Sequence, residues 1–200
     1  HFSDIIGKTI DFYGKTVYST GVTPNYLMSP EIVSGGQRDM SNPNSKGDPD
    51  TYLGTYWADP NSSYDHGNVH TNSGVQNYWF YLLAEGGSGT NDLGNQFCVT
   101  GIGRDKAVDI AYRSFTTYIS QNTNYPQARV CSIQAAIDLF GATSNEVAQV
   151  TQAWYAVGVG PKYAGPFEFN NLNVTTDQLI QRNAAIKFTN LTKSAAANLT

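Results

Sequence analysis

Between Val75 and Val157 apolar residues recur four times at helical spacing, and that recurrence limits the fold more than any other feature of the chain. Val75, Tyr78/Trp79 and Leu82/Leu83 form one stripe, closed by Gly86-Gly87. Val108, Tyr112, Phe115 and Ile119 form a second, at offsets 0, 4, 7 and 11. Val130, Ile133, Ile137 and Phe140 form a third, with Pro126 suited to its first turn and Gly141 past its end. Thr143-Ser144-Asn145-Glu146 reads as a capping box opening a fourth helix, with Val147, Val150, Trp154 and Val157 inward. Amphipathic helices hide such stripes against one another. The expected fold is therefore mainly α, an irregular or orthogonal bundle. A further helix over residues 2–13, with Phe2, Ile5, Ile6, Ile10 and Tyr13 inward and Gly14 as its stop, brings the total to about five.

The segments around the stripes differ in character. Residues 14–70 hold Pro24, Pro30, Pro43, Pro49 and Pro60 amid Gly, Asn, Asp and Ser without a sustained period, so a long loop region precedes the bundle. A loop of that length in a small protein is functional or braced by a neighbour. After Gly158-Val159-Gly160 the composition shifts, and Ala185–Leu191 alternates like a strand. Residues 1–160 are expected to be one domain, and 161–200 a tail, in part β, or the start of another module.

Composition removes several function classes. A formal charge of -4 gives no basic face for a nucleic-acid partner. No run of about 18 apolar residues is present to span a membrane. Charged residues are 14% and aromatics 12% of the chain, the reverse of a disordered composition. Three histidines (His1, His66, His70) and two cysteines (Cys98, Cys131) are too few for a self-contained transition-metal site. The cysteines fit neither a CxxC motif nor a zinc knuckle, and stay open between one disulfide and two buried thiols. His1 as first residue reads as an engineered or processing boundary. Asn61, Asn173, Asn190 and Asn198 each open an N-x-S/T triplet, which matters in a source that glycosylates.

Two local patterns invite metal or phosphate readings and resist them. His66 and His70 stand at i, i+4, but Gly67 and Asn68 between them favour a turn, and no Glu follows His66 as a zincin motif requires. Gly101-x-Gly103 lacks a third glycine and a βαβ context, which leaves a tight helix start.

Longer runs carry a resemblance. Gly67-Asn68-Val69-His70-Thr71-Asn72-Ser73-Gly74-Val75-Gln76-Asn77 resembles the G-x-V-H-x-N-S-G-x-x-N segment of the thermolysin-like neutral metallopeptidases. Phe2-Ser3-Asp4-Ile5 is similar to that family's S-D-I/F helix. Arg38-Asp39-Met40-Ser41-Asn42-Pro43 with Gly47-Asp48-Pro49-Asp50 is similar to its R-x-M-S-x-P and G-D-P-D runs. Val99–Lys106 resembles V-x-G-I-G-R-D-K, and Thr143–Gly160 the closing T-S-x-E-V…A-V-G-V segment.

The resemblance implies a secreted, two-lobed zinc endopeptidase acting on peptide or protein substrates, with two His and a Glu outside these motifs as zinc ligands. HExxH is absent from this chain. The expectation is accordingly the C-terminal helical lobe, with the N-terminal lobe of the same enzyme as partner; alone, it is expected to bind no catalytic zinc and to be inactive. By the same resemblance His70 donates a hydrogen bond to the oxyanion of the tetrahedral intermediate, and Asp65 holds its imidazole. Arg38 braces the substrate carbonyl and the His–Asp pair. Asp4 orients a zinc-ligating His of the other lobe.

Three departures qualify this. Gln37 stands where relatives often carry Leu beside the arginine, at a pocket for apolar side chains. No acidic residue lies between Asp11 and Glu31, where many relatives bind paired calcium ions; calcium binding elsewhere stays open. Cys98 and Cys131 lie outside the family pattern, and a disulfide between them would tie the second helix's start to the third helix. The residues by themselves also allow blander roles: Asp4 as a helix-dipole partner, Arg38 as a solvated charge, Asp65 as a turn former. A non-catalytic binding or inhibitory module that keeps the fold is the alternative function, and a lectin-like module using exposed aromatics a third.

Overall fold

The computed structural model describes residues 2–18 and 21–165. In chain order the elements are α1 (Phe2–Val17), β1 (Leu27–Met28), β2 (Arg38–Asp39), a 3-10 turn (Pro43–Lys46), α2 (Asp65–Asn72), α3 (Gly74–Glu85), β3 (Gly86–Thr90), β4 (Gln96–Thr100), α4 (Arg104–Thr117), α5 (Tyr125–Phe140) and α6 (Asn145–Ala156). The mainly α class and the long irregular region before the bundle are both as expected. The expected tail from 161, with its strand-like 185–191, falls almost wholly outside the described residues.

The core sits around α3. Val75, Trp79, Leu82 and Leu83 are all buried, and α3 packs on α1, α4 and α6, while α5 closes the far side against α4 and α6. Trp79 stacks on Trp154 of α6 with centroids 4.9 Å apart, and the Trp154 indole N–H donates to Ser132 Oγ on α5 at 2.6 Å. Burying a Trp with its single donor satisfied gains its large apolar area without an orphan N–H. The inward face of α6 is as the spacing predicts: Val147, Val150, Trp154 and Val157 are buried.

Two other stripes turn differently. In α4 the buried positions are Ala107, Ile110, Ala111 and Ser114, whereas Tyr112 and Phe115 are exposed. In α5 the inner face is Ala128, Arg129, Ser132, Ala135 and Ala136, with Ile133, Ile137 and Phe140 half-buried along its edge. Small residues let these two helices approach closely, and the large side chains flank the seam. A pattern count that weights only large apolar residues therefore points about one position off the true contact line. Likewise α1 buries Ile5 and Phe12, but Ile10 and Tyr13 face outward. The helix also runs past Gly14 to Val17, because Lys15 reaches back one turn to Asp11 at 3.1 Å and supports the last turn.

The β3–β4 hairpin has no counterpart in the sequence reading. Its register runs from Gly86↔Thr100 to Thr90↔Gln96, and Asn91 Oδ1 shapes the turn by accepting from the N–H groups of Leu93 and Asn95. Gly86-Gly87-Ser88-Gly89 carries no alternation to read, since these residues pair through the backbone. Gly101 lies so close to α3 that an added Cβ would stand 2.5 Å from the Glu85 carbonyl carbon, in keeping with a tight helix start there.

The helix caps also differ from expectation. The cap of α6 is Ser144, accepting from the Val147 N–H at 3.3 Å, one residue later than the capping box read from Thr143. The reciprocal box instead lies at Asn124/Gln127 of α5. Of the two states the sequence left open for the cysteines, the structure has free thiols, Cys98 exposed and Cys131 half-buried. Cys98 pairs with Ser88 across the exposed hairpin, and β4 packs on α3 and α6 rather than on α5, which carries Cys131. At the end of α6, the buried Arg129 guanidinium donates to the carbonyls of Val159 at 2.5 Å and Pro161 at 2.8 Å, and burial pushes its pKa down to about 10.

Candidate functional site

The turn before α3 is built from left-handed backbone. Asp65, His66, Gly67 and Asn68 have φ of 50°, 50°, 84° and 58° in succession. Each non-glycine residue there costs roughly 1–2 kcal/mol, so the conformation persists because its surroundings fix it. Tyr64 O accepts from the N–H groups of Gly67 and Asn68, both at 3.1 Å. Asn68 Nδ2 donates to Asp59 O at 2.9 Å. Gly67 has no alternative at its position: a Cβ there would stand 2.4 Å from Pro60 O. The preference of Gly67 and Asn68 for a turn thus wins over a continuous helix, and His66 and His70 do not form an i, i+4 pair on one helix face.

The turn delivers Asp65 to His70. Asp65 Oδ1 meets His70 Nδ1 at 2.5 Å, and Asp65 Oδ2 accepts from the His70 backbone N–H at 2.9 Å. Asp65 offers acceptors only, so Nδ1 carries the proton and donates. Those two bonds, the ring's first, hold the Asp65 carboxyl below the usual carboxylate range. The Asp65 side chain is 18% exposed and that of His70 69%, which leaves the far edge of the imidazole open to solvent. Ser73 Oγ donates to His70 O at 2.5 Å. Asn72, buried beside it, exchanges two bonds with Ala58, at 3.0 and 2.9 Å, and so fastens the 52–64 loop to α2.

A second cluster lies one to two turns along α3. Asn77 Nδ2 donates to Asp4 Oδ2 at 2.8 Å, and Arg38 Nη1 is 3.5 Å from Asp4 Oδ1. Gly74 packs directly on the Gly47–Asp50 segment, with Pro49 O 2.6 Å and Asp48 Cβ 2.9 Å from where its Cβ would be. The structure thus brings His70 to Asp65 and Arg38 to Asp4, both against the start of α3. Among the described residues Arg38 makes no hydrogen bond or ion pair to Asp65 or His70, so its bracing of that pair is not seen; its partner is Asp4. Asn77 is the last specified residue of the G-x-V-H-x-N-S-G-x-x-N run, but the sequence reading gave it no role; its contact with Asp4 is what the structure adds.

Asp48 lies beside the second cluster, and Arg38 and Asp4 both act on its charge. Burial, opposed by Arg38 and assisted by Asp4, pushes its pKa from 3.8 up to about 6. The folded state therefore favours the protonated carboxyl, and the stability that Asp48 contributes is full below about pH 4 and lost as pH rises through about 6. Asp65 runs the other way, its contribution being present above the usual carboxylate range and lost as pH falls. Asp48→Asn should consequently gain stability over the parent between pH 4 and pH 7.5, on the order of 1 kcal/mol after screening. Denaturant unfolding at the two pH values measures this; a gap that does not change with pH would refute it.

Metal ligation is a separate question. Among the described residues no group of three or more His, Cys, Asp or Glu is placed to hold a metal ion. Asp11, at the head of the acid-free stretch, is held by Lys8 at 2.9 Å and Lys15 at 3.0 Å, and Lys15 also pairs with Glu31 at 3.1 Å. Two ammonium groups neutralise the two carboxylates that bracket that stretch. Gln37 is exposed, and its backbone N–H donates to Met28 O at 2.8 Å.

Comparison with known proteins supplies the context for this geometry. The family model described as the thermolysin metallopeptidase alpha-helical domain matches residues 1–159. The chain is 43% identical over 162 residues to a bacillolysin of Bacillus cereus, which covers 78% of this chain and 26% of that protein. It is 41% identical over 157 residues to a thermolysin of Alicyclobacillus acidocaldarius, covering 78% and 27%. A thermostable neutral protease of Geobacillus stearothermophilus is 40% identical over the same length, with the same coverage. The chain spans about a quarter of the length of these curated relatives.

Proposed function

Because the chain belongs to the thermolysin metallopeptidase family, as its alpha-helical domain, we propose that it is the lobe of a secreted endopeptidase that stabilises charge during peptide-bond hydrolysis. The single observation that carries this is the His70–Asp65 pair, a carboxylate fixed at 2.5 Å from Nδ1 with the opposite ring edge open. Attack on a peptide carbonyl turns its oxygen into an oxyanion, and a fixed donor beside that oxygen lowers the barrier. Nδ1–H is already engaged, so donation from Nε2 requires the doubly protonated ring, and the Asp65 carboxylate faces that charge. Arg38 adds a guanidinium for the substrate carbonyl, held in place by Asp4. Asp4 in turn is the residue that would reach a metal-ligating His of another lobe.

The donor set among the described residues, with no group of three or more His, Cys, Asp or Glu placed together, does not fit zinc. In the proposed enzyme the zinc site belongs to the N-terminal lobe, with which this chain forms the substrate cleft. For calcium, the lysine-neutralised Asp11 and Glu31 speak against a site in the stretch that follows the first helix.

Joining the chain to an N-terminal lobe that carries HExxH is the test. The joined protein should cleave a casein or furylacryloyl-dipeptide substrate, and the chain alone should not. A correctly folded joined protein that binds zinc and cleaves nothing would overturn the proposal.

A further inference from the structure

Beside the His70 turn, on the next face of the same helix, lies a groove of about 400 Å³. Ser73 keeps right-handed helical backbone between α2 and α3, so Val69, Asn72 and Gln76, at offsets 0, 3 and 7, share that face and line the groove. Its walls are aromatic. Tyr52 and Trp57 meet edge to face at 4.9 Å, and Tyr125 stands 5.6 Å from Tyr52 and 6.0 Å from Trp57. The volume falls within the range of small-ligand sites, which combine apolar walls with a few placed polar groups.

Two polar groups here are unspent. Gln76 is 7% exposed and lines the groove, yet among the described residues its side-chain amide has no hydrogen-bond partner. Trp57, on the wall, has a buried Nε1–H without a partner among the described residues. Buried polar groups in folded proteins are nearly always paired, and an amide left open toward a groove points to a ligand that completes it. A primary amide presents a donor and an acceptor side by side. The complementary pair is a peptide group, and the aromatic walls suit a bulky apolar side chain attached to it.

We propose that this groove is a substrate subsite that takes a bulky apolar residue of the peptide, with Gln76 pairing to that residue's own peptide group. The proposal rests on the peptidase reading of His70 for its choice of occupant. Val69, on the rim, is the neighbour of His70 in the chain, so a peptide lying across His70 can drop a side chain into the groove. The site is distinct from the Gln37–Arg38 region, none of whose residues lines it.

The experiment is a titration of the full 200-residue chain, labelled with nitrogen-15, with N-acetylphenylalaninamide. N-acetylglycinamide and toluene are the controls for the peptide group alone and the ring alone. The expected result is saturable shifts of the Gln76 side-chain amide and the Trp57 indole N–H, with an affinity at least about fivefold above either control. Gln76→Leu should bring N-acetylphenylalaninamide down to the affinity of toluene. Val69→Trp, at a position 49% exposed, should block the groove without disturbing the core, and it decides the matter should the leucine variant lose its dispersed spectrum. Absence of saturable shifts at these two groups, undiminished binding by a folded Gln76→Leu, or undiminished binding by Val69→Trp overturns the proposal. The readout needs no catalysis, so its failure leaves the peptidase reading standing. Failure of the joined enzyme to cleave peptides leaves the binding result intact.

Discussion

His70→Ala, made in the joined two-lobed enzyme, is expected to lower kcat by about 10² to 10³, the usual cost of removing one oxyanion donor. KM should stay within about threefold, because the lost bond forms only in the transition state. The geometry favours a clean result. The His70 side chain is 69% exposed, and among the described residues its ring is held by Asp65 only, so truncation opens no cavity. Its backbone N–H keeps its bond to Asp65 Oδ2, and the turn survives. Steady-state kinetics on a dipeptide substrate measure both constants. A loss confined to KM would assign His70 to substrate binding and contradict the role given to it.

Gly67→Ala is expected to cost the fold about 3 kcal/mol, combining left-handed strain with a clash against backbone. The added Cβ would stand 2.4 Å from Pro60 O, and a carbonyl held within a loop cannot swing aside as a side-chain tip can. For a domain of this size that loss lowers Tm by roughly 6–12 °C. Gly47→Ala separates the two contributions: φ there is 79°, with nothing within 4 Å of the would-be Cβ, so it should cost only about 1 kcal/mol. Thermal unfolding of both variants decides the point. Equal losses would mean that the Pro60 contact contributes nothing, and that the turn is not held by the 52–64 loop.

The parts of this molecule legible in the sequence are those where one side chain fixes one local choice. Trp154, Val147 and Val150 are large and regularly spaced, so α6 and its inner face follow directly. Gly67-Asn68 marks a turn because few other pairs tolerate left-handed backbone. The misses share another cause: they depend on what lies across the interface. The buried faces of α4 and α5 are mostly Ala and Ser, with Ile110 and Arg129 among them, and small residues of that kind carry little periodic signal. The Gly86–Thr90 strand is specified by backbone pairing to β4, not by its side chains. Asp4 and Arg38 were recognisable as members of a motif, but that they pair with each other, and that Asn77 joins them, is a contact over 34 and 73 residues of chain that no local pattern encodes.

Asp65 is assigned no contact with substrate; it acts through His70. A double-mutant cycle in the joined enzyme, kcat measured for Asp65→Asn, His70→Ala and both together, tests that dependence most directly. The predicted result is a substantial fall for Asp65→Asn when His70 is present and almost no further fall when His70 is already alanine. Losses that multiply independently would show Asp65 acting on its own, and would contradict the coupled pair at the centre of this site.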